Sequence, residues 1–193
     1  MRTKLFITLF SVLFIAGCVP SLHQLWTEDT LGYDEAFVGR FKERENVWQF
    51  TADPNEMSYE VVITEKEGKE SRLTAHLVKV DGRFFFDFYP SDDAEVECGD
   101  WLKFHILGVH LFFKVEKTDN GFSLAAMNPG EIGNFLKRKP DLVKHEVVED
   151  DRVVLTGTPE NLQKFLLEGL KIEKFFGDPA VLTPIREVIV EQP

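Results

Sequence analysis

Arg72-Leu73-Thr74-Ala75-His76-Leu77-Val78-Lys79-Val80-Asp81-Gly82-Arg83-Phe84-Phe85-Phe86-Asp87-Phe88-Tyr89 is the stretch that decides the fold. Asp81-Gly82 separates two runs rich in β-branched and aromatic residues, and this dipeptide takes the positive-φ conformation of a two-residue hairpin turn. A loop there fixes the register. Val80 faces Arg83, Leu77 faces Phe86, His76 faces Asp87 and Ala75 faces Phe88. Ala75, Leu77, Phe84, Phe86 and Phe88 then share one face, with the stem of Lys79 at its edge. Thr74, His76, Val78, Phe85, Asp87 and Tyr89 share the other. A slip of one residue would exchange the two faces.

On the N-terminal side of this hairpin, Met57 to Glu65 alternates with period two. Met57, Tyr59, Val61 and Ile63 lie on one face, and Ser58, Glu60 and Thr64 on the other, the pattern of a half-buried strand. Val38–Lys42 and Val47–Thr51 are shorter strands before it, and Glu67-Gly68-Lys69 is a turn. On the C-terminal side, Ser91–Asp100 is an acidic loop. Trp101–Leu107 and Val109–Lys117 read as strands bent at Gly108. Asn120-Gly121 is a second hairpin turn, with Val115 facing Ala126 and Lys117 facing Leu124 on the return strand Phe122–Met127. Asn128-Pro129 caps and starts a helix near 129–138. His145–Val148 and Arg152–Thr156 form a hairpin around Glu149-Asp150-Asp151. Thr158-Pro159-Glu160 opens a C-terminal helix near 159–170, and Val188–Val190 adds a terminal strand.

Eight to nine strands, joined mostly as sequential hairpins, give a mainly β protein. The expected fold is an antiparallel up-and-down β-barrel with a short helix and a C-terminal helix, because closure removes exposed edges. A barrel of eight strands is just wide enough to be filled by side chains or to hold one small ligand. Tyr59, Val61, Leu77, Phe84, Phe86, Phe88, Leu111 and Phe113 are the side chains expected to line its interior. They would enclose either an apolar ligand or only one another.

The chain has 193 residues, 22 Lys plus Arg against 33 Asp plus Glu, and a net charge of −11. Its 44% hydrophobic and 28% charged residues are those of a globular domain. The acidity argues against a nucleic-acid partner, which would need a basic patch. Eighteen phenylalanines are an unusual number, and two cysteines cannot build a disulfide framework.

The N-terminus reads as an address. Arg2 and Lys4 precede an apolar run, Leu5–Ala16, broken only by Thr8 and Ser11. That run is shorter than the roughly 20 residues needed to span a bilayer, and it ends in small residues, as a secretory signal does. Ile15-Ala16-Gly17-Cys18 resembles the lipobox of bacterial lipoproteins. The resemblance implies that residues 1–17 are a cleaved signal peptide and that Cys18 receives a covalent palmitate-type lipid as the only prosthetic group. It also implies that residues 18–37 are a lipidated tether ahead of one barrel domain, 38–193. Val19, where an Asp often retains such proteins in the inner membrane, implies an outer-membrane location facing the periplasm if the host has two membranes. Two or three acyl chains anchor stably where one does not. Loss of residues 1–17 removes Arg2 and Lys4 and takes the net charge to −13.

Gly39-Arg40-Phe41 resembles the Gly-x-Trp element of lipocalins, with Phe in place of Trp. The blocks Thr74–Lys79 and Phe84–Asp87, together with the lipobox, resemble a group of poorly characterised bacterial lipoproteins with lipocalin-like domains. The resemblance implies a calycin-type barrel and names no activity.

Catalytic chemistry is not expected. His76 beside Asp87 could orient an imidazole, but no Gly-x-Ser-x-Gly nucleophile accompanies it. His23, His76, His105, His110 and His145 are scattered, and His105 and His110 have opposite strand parity, so no metal site is expected. Cys98, among Glu95, Glu97 and Asp100, lacks the cationic surroundings of a reactive thiolate. The expected protein is a membrane-anchored extracytoplasmic lipoprotein that binds a small apolar or amphipathic molecule. The alternative is an envelope interaction module, with a filled barrel, whose partner is another envelope protein.

Overall fold

The computed structural model describes residues 18–94 and 98–186. Residues 1–17, read above as a signal peptide, Glu95–Glu97 and the terminal strand expected at Val188–Val190 lie outside the described residues.

Eight antiparallel strands close into a lipocalin-like barrel. They are β3 (Gly39–Glu43), β4 (Asn46–Asp53), β5 (Ser58–Thr64), β6 (Glu70–Val80), β7 (Arg83–Pro90), β8 (His110–Thr118), β9 (Gly121–Ala126) and β12 (Ala180–Pro184). Each pairs with the next, and β12 closes the ring between β9 and β3. Before the barrel come two short strands, β1 (Pro20–Ser21) and β2 (Leu31–Gly32). Between β9 and β12 lies a long insertion: helix α2 (Pro129–Arg138), the hairpin β10 (His145–Val148) and β11 (Arg152–Leu155), and helix α3 (Pro159–Gly169).

The central hairpin has the register the sequence dictates, from Val80↔Arg83 through His76↔Asp87 to Ala75↔Phe88. Asp81 and Gly82 both have positive φ, 48° and 72°, as a type I′ turn requires. The second hairpin differs from expectation by two residues. Thr118 pairs with Gly121, so Val115 faces Leu124 and Lys117 faces Phe122. The turn residues are Asp119 and Asn120, and Gly121 opens the return strand at φ 113°, where a Cβ would lie 2.0 Å from the Leu182 carbonyl oxygen. A slip of two leaves every side chain on its expected face.

Trp101–Leu107 is not a strand. Asp100–Lys103 forms one turn of helix, α1, and the rest is loop. Leu102, Phe104 and Ile106 alternate with Lys103 and His105 as a strand would, but each barrel strand already has its two neighbours, which leaves no edge to pair with them. The strand that closes the barrel, β12 at Ala180–Pro184, is one the sequence reading did not place. The two helices stand where the sequence puts them, and Asn128 Oδ1 accepts from the Gly130 N–H at 3.1 Å to cap α2.

Two apolar cores result. The inner one fills the barrel with Phe37, Phe41, Phe50, Tyr59, Val61, Ala75, Leu77, Phe86, Phe88, Val115, Phe122, Leu124 and Leu182. The outer one lies between the outward side chains of β6–β8 (Val78, Phe85, Phe112) and the insertion, with Ile132, Phe135, Leu155, Leu162, Phe165 and Phe175 prominent.

Candidate functional site

Three places carry the side chains expected to matter: the barrel axis, the strap formed by residues 18–37, and the groove at Cys18. On the axis, rings from opposite walls touch. Phe86 on β7 lies 5.8 Å from Phe50 on β4, 5.6 Å from Tyr59 on β5 and 6.4 Å from Phe122 on β9, centroid to centroid. Phe50 and Phe122 are 5.6 Å apart, edge to face, within the range of favourable aromatic pairs. Of the expected lining residues, Tyr59, Val61, Leu77, Phe86 and Phe88 are buried in this cluster. Phe84 and Phe113 are partly buried against it, and Leu111 is half-buried on β8 beside Phe88.

Phe37 seals one end, and it comes from the segment read as a tether. It packs at 5.1 Å from Phe86 and 5.0 Å from Phe122. Asp34, which caps the short helical turn carrying Phe37, is held twice. Its N–H donates to the Tyr59 hydroxyl at 2.8 Å, and that hydroxyl donates to the Asp34 carbonyl at 3.1 Å. Its carboxylate pairs with Lys117. The Lys117 bond holds the Asp34 carboxyl below the usual range, and burial pushes the Tyr59 phenol up to about 12.

The other end of the strap is fastened on the barrel's outside. β1 pairs antiparallel with the start of β8, Ser21 opposite His110, and parallel with β11. Leu25 donates its N–H to Asp87 Oδ2 at 2.8 Å, and His110 Nδ1 meets Asp87 Oδ1 at 2.8 Å. Asp87 is 1% exposed, and such a group needs both partners to be tolerated inside. His76 is its register neighbour but stacks on Trp26 at 4.9 Å instead. Burial pulls the His76 imidazole below its ordinary value, against the Asp87 charge, which raises it. Sequence reasoning missed His110. The β7–β8 register puts it diagonal to Asp87 on the same face, but a 19-residue connection hides that register. Ser21 stands opposite His110 in the β1–β8 pairing, but its buried hydroxyl donates to the His23 carbonyl at 2.7 Å, so Asp87 and His110 act as a clasp that fastens the strap.

Cys18 and Cys98 are free thiols, both half-buried. Cys18 lies in a groove of about 240 Å³ with Val19, Pro20, Pro129, Val148, Arg152, Val153 and Val154, and burial pushes its thiol up. Among the described residues no three His, Cys, Asp or Glu side chains gather as a metal set, and no helix is long and apolar enough to cross a membrane. No protein-family model, curated protein or solved structure matches the chain.

Proposed function

We propose that this chain is a lipid-anchored lipoprotein of the bacterial cell envelope, cleaved before Cys18 and acylated there, facing the periplasm where the host has an outer membrane. Its barrel serves as a rigid interaction module and not as a container. The observation that carries the second half is the contact of rings from opposite walls on the barrel axis, which leaves a small apolar molecule no central lumen among these side chains. The first half is supported by the charged n-region, the apolar run and Ile15-Ala16-Gly17-Cys18. It fits a chain in which pairing to the barrel begins two residues after Cys18, so an acylated Cys18 would tie the folded body close to the bilayer. The sealed Ser21 hydroxyl supports a non-catalytic role for the His110–Asp87 clasp.

The test is metabolic labelling with an alkyne fatty acid, followed by mass analysis of the N-terminal peptide. A diacylglyceryl thioether on Cys18, with label lost in Cys18→Ala, is expected. An unmodified N-terminus at Met1, or label retained in Cys18→Ala, overturns the anchoring. Native mass spectrometry of the purified protein checks the filled barrel: a stoichiometric small molecule held through purification overturns it.

A further inference from the structure

Strand β10 is an open edge. The eight barrel strands each have two neighbours, and β11 lies between β10 and β1, but among the described residues no strand lies beyond β10. Its free side carries definite donors and acceptors. The Thr156 N–H donates to the Lys144 carbonyl at 2.8 Å, and backbone groups along an antiparallel strand alternate between its two sides. Glu146 and Val148 therefore also turn theirs to β11, whereas His145 and Val147 turn theirs away from it. Proteins blunt such edges with proline, lysine or a bulge. His145-Glu146-Val147-Val148 has neither residue, and its register on β11 is continuous. Val147 is 57% exposed and Val148 42%, so the edge is apolar as well as open.

The flanks of this edge select what pairs with it. Lys144-His145 precedes the two valines, and Glu149-Asp150-Asp151 follows them. Two copies laid parallel would set like on like, whereas two laid antiparallel bring the basic end of each to the acidic end of the other. Hydrogen bonding then restricts the register, because outward-facing residues must oppose each other. With Val147 opposite the partner's Val147, His145 of each copy faces the partner's Glu149. On that face Val153, Val147, the partner's Val147 and the partner's Val153 form one apolar row that continues the outer core. On the other face Arg152 and Val148 line up with the partner's Glu146, two strands or about 10 Å from Arg152. A shift of two residues either way sets Glu146 against the partner's Glu146 or the partner's Asp150, and like charges directly opposite are destabilising. Larger shifts run off a strand of four residues.

We infer that this chain pairs with a second copy of itself through β10, antiparallel about a two-fold axis at Val147, so that one sheet runs through both molecules. The inference rests on the interaction-module reading above and names its partner. It does not depend on the anchor at Cys18. One strand pair buries less than the roughly 1,600 Å² of a standard interface, so the dimer is weak and reversible.

The test uses the full chain expressed in its host. Opposed residues of a hydrogen-bonded antiparallel pair have Cα atoms about 5.5 Å apart, a spacing that a disulfide spans. With Cys98→Ser removing the competing thiol, Val147→Cys should bridge on mild oxidation of intact cells, read by mass as a peptide linked 147 to 147. Val181→Cys, at a site 49% exposed on β12, should not. Native mass spectrometry of the purified wild type over a concentration series should show dimer growing at the expense of monomer. V147K, which opposes two lysines across the axis, should raise the dissociation constant at least tenfold and leave the thermal midpoint of the monomer unchanged. H145E and E149K should each weaken the dimer, and mixing the two should restore it as a heterodimer. Monomer alone throughout the series, a dimer indifferent to V147K, or bridging at 147 no faster than at 181 overturns the inference. The same spectra separate the two failures: a small molecule held by the monomer overturns the filled barrel, while a V147K-sensitive dimer beside it still supports the pairing.

Discussion

The two sides of the barrel wall differ in what lies outside them. Along β3–β5 the outward side chains include Arg40, Gln49, Glu60 and, on the neighbouring β6, Arg72, which border an open polar concavity. Along β6–β8 the outward Val78, Phe85 and Phe112 are at most 2% exposed, because the insertion packs over them. A sheet wet on one face shows alternation, whereas a sheet covered on both faces shows continuous apolar runs. This is why Met57–Thr64 alternates and Phe84-Phe85-Phe86 does not. The inner core is assembled by hairpins between strands adjacent in sequence. The outer core joins Val19 and Leu25 to helices more than a hundred residues later.

The contrast is broken most severely at its centre. Phe86 touches the rings of Phe37, Phe50, Tyr59, Phe88 and Phe122. Phe86→Ala should cost ~3–5 kcal/mol in urea unfolding, since the wall cannot collapse onto the lost ring. It should also turn the filled barrel into one that binds a benzene-sized molecule, as dry apolar cavities do. A loss below ~1 kcal/mol would mean that the rings do not meet on the axis.

The inner core was legible because period two and Asp81-Gly82 act over a few residues, and the register at His76, Leu77 and Ala75 followed directly. The helices were legible from Asn128-Pro129 and Thr158-Pro159 for the same reason. The plug and the clasp were not. Phe37 seals the barrel through Asp34, whose partners Tyr59 and Lys117 are 25 and 83 residues away. Asp87 is claimed by Leu25, 62 residues before it, and by His110. Nothing local announces such pairings, so the strap read as a tether. Trp101–Leu107 reads as a strand for the converse reason: Leu102, Phe104 and Ile106 alternate as a sheet needs, but closure leaves no edge for them.

The clasp couples the two regions, so its removal sharpens the contrast. Asp87→Ala leaves the Leu25 N–H and His110 without their acceptor inside the outer core. The expected loss is ~1.5–3 kcal/mol, the value of hydrogen bonds to a charged group. Limited proteolysis should cut the strap near Leu25 while the barrel persists. If cleavage instead begins within β3–β9, the barrel depends on the clasp and the two cores are one cooperative unit.

The smallest effect expected is at His76, sandwiched between the strap's Trp26 and the outer face of the barrel. Its imidazole is held below the ordinary 6.5 first by burial and then by the nearby His110, while Asp87 and Glu56 act the other way. The unfolded chain therefore takes up a proton here at a pH where the native state does not. Stability is full above pH ~6.5 and falls as the pH drops through that value toward the lower native pKa. The urea midpoint of the wild type should decline between pH 7 and 5.5, and His76→Phe, which keeps a ring on Trp26, should flatten part of that decline. The carboxylates held low, such as Asp34, lose their stabilisation only in more acid solution, below the ordinary carboxyl range, so the difference between the two profiles isolates His76. An identical slope in the variant would place the proton-linked step elsewhere, and the strap would then owe its closure to Asp87 without a pH-dependent share from the Trp26 stack.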